Sequence, residues 1–145
     1  MDAAPPEAFG RPGLEPRWTR SRKQGLGTAY NSASRLWFTL SHGVLTEVYA
    51  PTIDAPQVRD LQFLITDGAT FFHEEKRDLD SRLEYLDEDC LGYRLTNSDP
   101  AGRYRLVKEV IADPHLPCVL MRTRLEGEPA FLATLRLYAL LAPHL

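Results

Sequence analysis

Apolar and polar residues alternate with a period of two through most of the chain after Arg35, a pattern that predicts β-strands and little helix. In the first run Leu36, Phe38 and Leu40 fall on one side, and Trp37 and Thr39 on the other. In the next, Val44, Thr46 and Val48 oppose Leu45, Glu47 and Tyr49. Leu61, Phe63 and Ile65 share a side, and their run stops at Asp67-Gly68, a turn pair. Leu83 and Tyr85 alternate with Arg82 and Glu84, and Leu91, Tyr93 and Leu95 align. Tyr104, Leu106, Lys108 and Val110 oppose Val107, Glu109 and Ile111. The stretch from Ala130 to Pro143 is rich in Leu and Ala, and its own period does not separate helix from strand; its neighbours favour strand.

Turn signals recur about every 8–12 residues, as in an antiparallel sandwich or barrel. The expected fold class is therefore all-β, an antiparallel β-sandwich. Residues 1–17 hold Pro5, Pro6, Pro12 and Pro16 with Gly10 and Gly13, and read as a flexible lead-in to a sandwich domain over 18–145. The polar stretch from Thr19 to Ser34 reads as a loop with at most one short strand. The closing "LLAPHL" is apolar, without cap or polar tail. The expectation is an incomplete portion of a larger sandwich, since a piece alone would leave open edges and an uncovered apolar face.

The formal net charge is −3, and acids and bases are interspersed, as in "EEKRDLDSRLEYLDED". Nucleic acid and anionic membranes call for clustered positive charge, so neither is an expected partner. The first residues show no apolar signal core, which points to a cytoplasmic protein, or to a secreted one if the N-terminus is incomplete. Cys90 and Cys118 lie far apart, lack metal-ligand spacing and are expected as two buried thiols rather than a disulfide.

The tempting chemistry dissolves on inspection. His42 stands between a strand and Gly43, where a histidine usually serves a turn. Ser41 and His42 evoke a nucleophile and its base, but neighbours on a strand point to opposite faces and no nucleophile elbow surrounds them. "HEE" at His73–Glu75 is not the helical two-histidine zinc motif, and no metal or other cofactor is expected. "GLGTAY" lacks the third glycine of a dinucleotide loop and reads as a flexible loop. The acidic pairs, including Glu74 with Glu75 and Asp87 to Asp89, sit among bases and read as solvated surface rather than as a glycosidase pair. Trp18, Trp37 and the tyrosines could stack on sugar rings, though aromatics in a sandwich mostly fill its core. The residues alone thus give a sandwich without a self-contained active site.

Longer blocks carry a resemblance. They are "KQGLGTA", "SRLWFTLSHGVLTEVYAP", "RDLQFLITDG", "FFHEEKRD", "YRLTN" and "GRYRLVKEVIADP". In this order, from about Pro16 to Leu145, they resemble the N-terminal domain of bacterial and archaeal glucoamylases and glucodextranases, glycoside hydrolase family 15. "LYALLAPHL" looks like the family's next strand. The resemblance implies a supersandwich followed by an (α/α)6 barrel whose glutamates act as general acid and base, inverting configuration at the non-reducing ends of α-glucans. The chain would span part of the N-domain and none of the barrel, so no catalytic residue carries over. Its partners would be that barrel, packed within one molecule, and through it an α-glucan. One departure is Ala50, where the family commonly has tyrosine. Tyr49, Asp54, Arg59 and Asp60 are the candidates for a barrel- or substrate-proximal surface, with Arg59 and Asp60 expected just before a strand and able to form a buried ion pair. An independent carbohydrate-binding module, or the N-domain of a related trehalase or glycoside phosphorylase, is the alternative reading; the "WFTLSHG" block favours the glucoamylase type.

Overall fold

A computed structural model describes residues 22–144. The expected lead-in over 1–17 and Trp18 lie outside the described residues. Among the described residues, ten strands run in chain order as β1 (Gly25–Thr28), β2 (Trp37–Ser41), β3 (Val44–Tyr49), β4 (Pro56–Thr66), β5 (Phe72–Glu74), β6 (Asp80–Tyr85), β7 (Tyr93–Ser98), β8 (Tyr104–Ala112), β9 (Val119–Gly127) and β10 (Arg136–Pro143), with helical turns α1 (Glu75–Asp78) and α2 (Pro129–Leu132). They form two antiparallel sheets. One runs β1-β2-β3-β4-β10 with β5 also on β4; the other runs β6-β7-β8-β9.

The alternation places the core as expected: Leu36, Phe38, Leu40, Tyr93, Leu95 and Val110 are buried in one cluster between the sheets. A second cluster gathers Ile65, Leu79, Tyr104 and Leu106 towards the other end. The ambiguous stretch after Gly127 divides in two. Glu128 caps one helical turn, its carboxylate accepting from the N–H groups of Ala130 (3.0 Å) and Phe131 (2.9 Å), and β10 follows.

Strict alternation fails in β3. Leu45 and Val48 both join the same core cluster, although they were expected on opposite sides. The pairing explains this: Phe38 faces Val48 and Thr39 faces Glu47, but Leu40 faces Leu45, so Thr46 is the extra residue of a bulge. Its hydroxyl meets that of Thr39 at 2.6 Å, and both threonines are buried. The "GLGT" segment is not a flexible loop but β1, paired along β2. Gly27 lies against the Phe38 ring and Gly25 against Tyr93, so the glycines leave room for core aromatics instead of cradling a phosphate.

His42 and Gly43 take φ of 51° and 76°, the pair of positive values that a tight type I′ hairpin requires. Because His42 is turned out of the extended conformation, its ring Nδ1 comes within 2.8 Å of the Ser41 hydroxyl. The expectation that these neighbours cannot meet is thereby overturned. Ser41 is wholly buried, so the contact braces the turn and offers no accessible nucleophile.

The sheets are also joined by a polar node. Glu75, expected on the surface, is fully buried, as is Lys108 on the core face of β8. The Lys108 ammonium donates to Glu75 Oε1 and to the Gly43 carbonyl, and Asn97 Nδ2 donates to Glu75 Oε1 and, at 3.0 Å, to the same carbonyl. Glu75 Oε2 accepts from the Phe63 N–H at 2.9 Å. That N–H sits on the edge of β4 where β3 has stopped, at Leu61, and β5 has yet to begin, at Leu64. One carboxylate thus fills a gap in one sheet and neutralises a cation from the other. Burial pushes the Glu75 carboxyl up and the Lys108 ammonium down, each opposed by the other's charge. Glu74, also expected as surface, is 6% exposed.

The β7–β8 turn is held by Asp99, which accepts from the Arg103 guanidinium (2.5 Å) and from the N–H groups of Ala101 and Arg103. The guanidinium holds its carboxyl below the ordinary value even against its burial. The stability it contributes is complete above the unfolded value of about 4 and is lost as the pH falls through the lower folded value. Asp99→Asn is expected to cost about 1 kcal/mol at neutral pH, the half-exposed arginine weakening the effect, and to flatten the acid limb of a urea-midpoint profile against pH.

Candidate functional site

The register brings the end of β1, the start of β2, the end of β3 and the start of β4 to one end of the sandwich: Thr28 faces Trp37, Trp37 faces Tyr49, and Tyr49 faces Pro56. At this end a hollow of about 520 Å³ opens between Glu47, Tyr49, Pro56, Val58, Arg59, Pro143 and His144. Two of the four candidates, Tyr49 and Arg59, line it. Glu47, Pro143 and His144 were missed. The alternation places Glu47 only on one side of its strand, and the other two reach the hollow only because β10 pairs along the far edge of β4, which no local pattern announces.

The electrostatics follow from burial and pairing. Burial would raise the Glu47 carboxyl, yet the Lys23 ammonium at 2.5 Å, the Tyr49 hydroxyl and the Thr39 hydroxyl together hold it below its ordinary value. Burial and the adjacent Glu47 carboxylate push the Tyr49 phenol up. The hollow's rim therefore presents a fixed carboxylate, a neutral phenol, a guanidinium and an imidazole.

The remaining candidates lie elsewhere. Asp54 stands fully exposed in the loop between β3 and β4, its carboxyl held low first by the Thr52 hydroxyl. Asp60 is 5% exposed, and burial pushes its carboxyl up against the opposing charges of Arg59 and Lys76. Arg59 and Asp60 lie inside β4, not before it. They do not make the expected buried pair, because Arg59 is exposed while Asp60 is buried. The cysteines also differ from expectation: both are free thiols, but Cys90 is exposed and Cys118 half-buried, since each sits in or beside a loop at the end of a strand.

Among the described residues, no group of three or more His, Cys, Asp or Glu is placed to hold a metal ion. No described helix is long and apolar enough to cross a membrane. Of the buried acids, Glu75 lies in the polar node, and Glu74 has Oε2 3.8 Å from Arg77 while its Oε1 has no hydrogen-bond partner among the described residues.

Residues 8–145 match the glucodextranase domain N family. The chain belongs to the glucodextranase N-domain family. It is 39% identical over 138 residues to a glucoamylase of Clostridium sp. (strain G0005), covering 95% of this chain and 20% of that protein. It is also similar to the crystal structure of a bacterial glucoamylase complexed with acarbose, with 39% identity and a TM-score of 0.83 over 94% of this chain and 20% of that one. The chain thus spans about one fifth of the length of the curated relative it matches. For an N-domain of this family, "LWFTLSHGVLTEVYAP" is a hairpin with a left-handed His-Gly turn and a threonine bulge. Its Glu47 and Tyr49 form part of the rim of the 520 Å³ hollow.

Proposed function

We propose that this domain is the N-terminal sandwich of an exo-acting α-glucan hydrolase of the glucoamylase or glucodextranase type, and that it packs on a catalytic barrel carrying the acid and base glutamates. The observation that carries this reading is the match of nearly the whole chain to one fifth of a glucoamylase. The surface supports it. β10 is an edge strand on which Leu137, Tyr138, Leu140 and Leu141 are 38–54% exposed. An apolar edge of that kind ordinarily packs against further protein.

Within this reading Tyr49, Asp54, Arg59 and Asp60 form the surface beside the barrel, with Tyr49 and Arg59 at its recess. Asp60 lies buried beneath them, within β4. The test is the complete enzyme carrying Arg59→Ala or Tyr49→Ala. The expected result is a thermal midpoint lowered by several degrees, as roughly 1 kcal/mol of lost contact gives in a domain of this size, with reduced glucose release. Unchanged midpoint and kinetics in both variants would remove these residues from the interface.

A further inference from the structure

A second hollow lies at the same end of the sandwich, on the side of the other sheet. It encloses about 480 Å³, with Leu91, Ile111, Ala112 and Pro114 as apolar walls and Tyr30 and Asp89 among its polar groups. Three separate loops build it: the one after β1, the one between β6 and β7, and the one after β8. Tyr30 is 83% exposed, Leu91 45% and Ile111 38%, so large apolar surface is held open to solvent.

The recess depends on a glycine. Gly92 is buried, and a Cβ there would stand 2.9 Å from Ile111 Cγ2, 3.1 Å from Cys90 Sγ and 3.2 Å from Leu86 Cδ1. Any larger residue would push these groups into the space or be expelled into it. The volume falls within the range of small-molecule recesses, and the walls are mostly apolar with few polar groups.

The chemistry of the rim selects the ligand class. Asp87, Glu88 and Asp89 are all exposed in one of the three loops, which disfavours phosphates, carboxylates and nucleic acid. What fits an apolar wall flanked by a phenol ring and a carboxylate is a neutral ring with one C–H face and hydroxyls at its edge. A pyranose has that form: its C–H face can lie on apolar and aromatic carbon while a carboxylate accepts from its hydroxyls.

We propose that this hollow is a glucan-binding subsite, separate from any catalytic centre, that holds one or two glucose units of an α-glucan chain, with Tyr30 as the stacking ring and Asp89 as the hydroxyl acceptor. The choice of an α-linked glucan rests on the reading of the parent enzyme; the choice of a sugar rests on the hollow.

The test is calorimetric titration of the 145-residue chain with maltoheptaose, with cellohexaose as the β-linked comparison. Tyr30→Ala and Asp89→Asn change exposed side chains, and circular dichroism would verify that both variants keep the strand spectrum of the parent. The expected result is saturable heat with maltoheptaose, weakened about two- to tenfold by Tyr30→Ala, as loss of one aromatic stack predicts, and weakened also by Asp89→Asn. Absence of saturable heat from folded chain would overturn the proposal. So would binding that both variants leave intact, or equal affinity for cellohexaose. Hydrolysis of maltopentaose by the complete enzyme reports separately on the parent activity, so either reading can fail while the other stands.

Discussion

Lys108→Met is expected to destabilise the domain by about 3–5 kcal/mol, a large part of what a domain of this size has to lose. The methionine fills the space, so the effect is electrostatic: Glu75 would be left buried without its counter-charge, and the Gly43 carbonyl would lose one of its two donors. Glu75→Gln is expected to cost less. A glutamine oxygen can still accept from the Phe63 N–H, but Lys108 then lacks a carboxylate. Replacing the pair together, as Glu75→Leu with Lys108→Met, should recover part of the loss. Full recovery is not expected, because Phe63 N–H and Asn97 Nδ2 would lose an acceptor, each at about 1–3 kcal/mol. Chemical denaturation of the parent, Glu75→Leu, Lys108→Met and the double variant measures the coupling. Additive single and double effects would mean that the ion pair does not hold the sheets together.

Phe38→Ala is the second large effect, expected at about 3–5 kcal/mol. Phe38 is wholly buried, meets the Tyr93 ring edge-on with centroids 6.4 Å apart, and fills the space above Gly27. Conversely, Gly27→Ala should cost about 1–3 kcal/mol, because the new methyl would overlap the Phe38 ring. The two changes act on one volume, so their combination should be less damaging than their sum. Strict additivity in urea unfolding would separate Gly27 from the core packing of Phe38.

The fold was legible where one strand's own pattern decides its face. Leu36, Phe38 and Leu40 went to the core, and Asp67-Gly68 made a turn whose carboxylate accepts from three following N–H groups. The pattern failed where a partner strand decides. The bulge at Thr46, which turns Leu45 and Val48 to one side, exists only in the pairing with β2. Likewise, "HEE" looks like solvated charge in sequence, and the alternation that sets Lys108 beside Leu106 and Val110 names no partner for it; Glu75 and Lys108 lie 33 positions apart and become neighbours only when the two sheets close. Glycine misled in β1, because its lack of a side chain serves an aromatic neighbour as well as it serves a loop.

The candidate site was half legible for the same reason. Tyr49 and Arg59 could be placed at a strand end near a loop, and they share a hollow. Their companions Pro143 and His144 come from the far end of the sequence through the β4–β10 ladder. Arg59 and Asp60 occupy adjacent positions inside one strand, so exposure of Arg59 accompanies burial of Asp60, and the guanidinium acts on that carboxyl from outside the core.

Glucose release from maltopentaose, measured side by side for the 145-residue chain and for the complete polypeptide that carries it, tests the central claim most directly. The expected result is no release by the 145-residue chain and release of β-glucose by the complete protein. Hydrolysis by the 145-residue chain alone, or failure of the complete protein on every α-glucan offered, would contradict it.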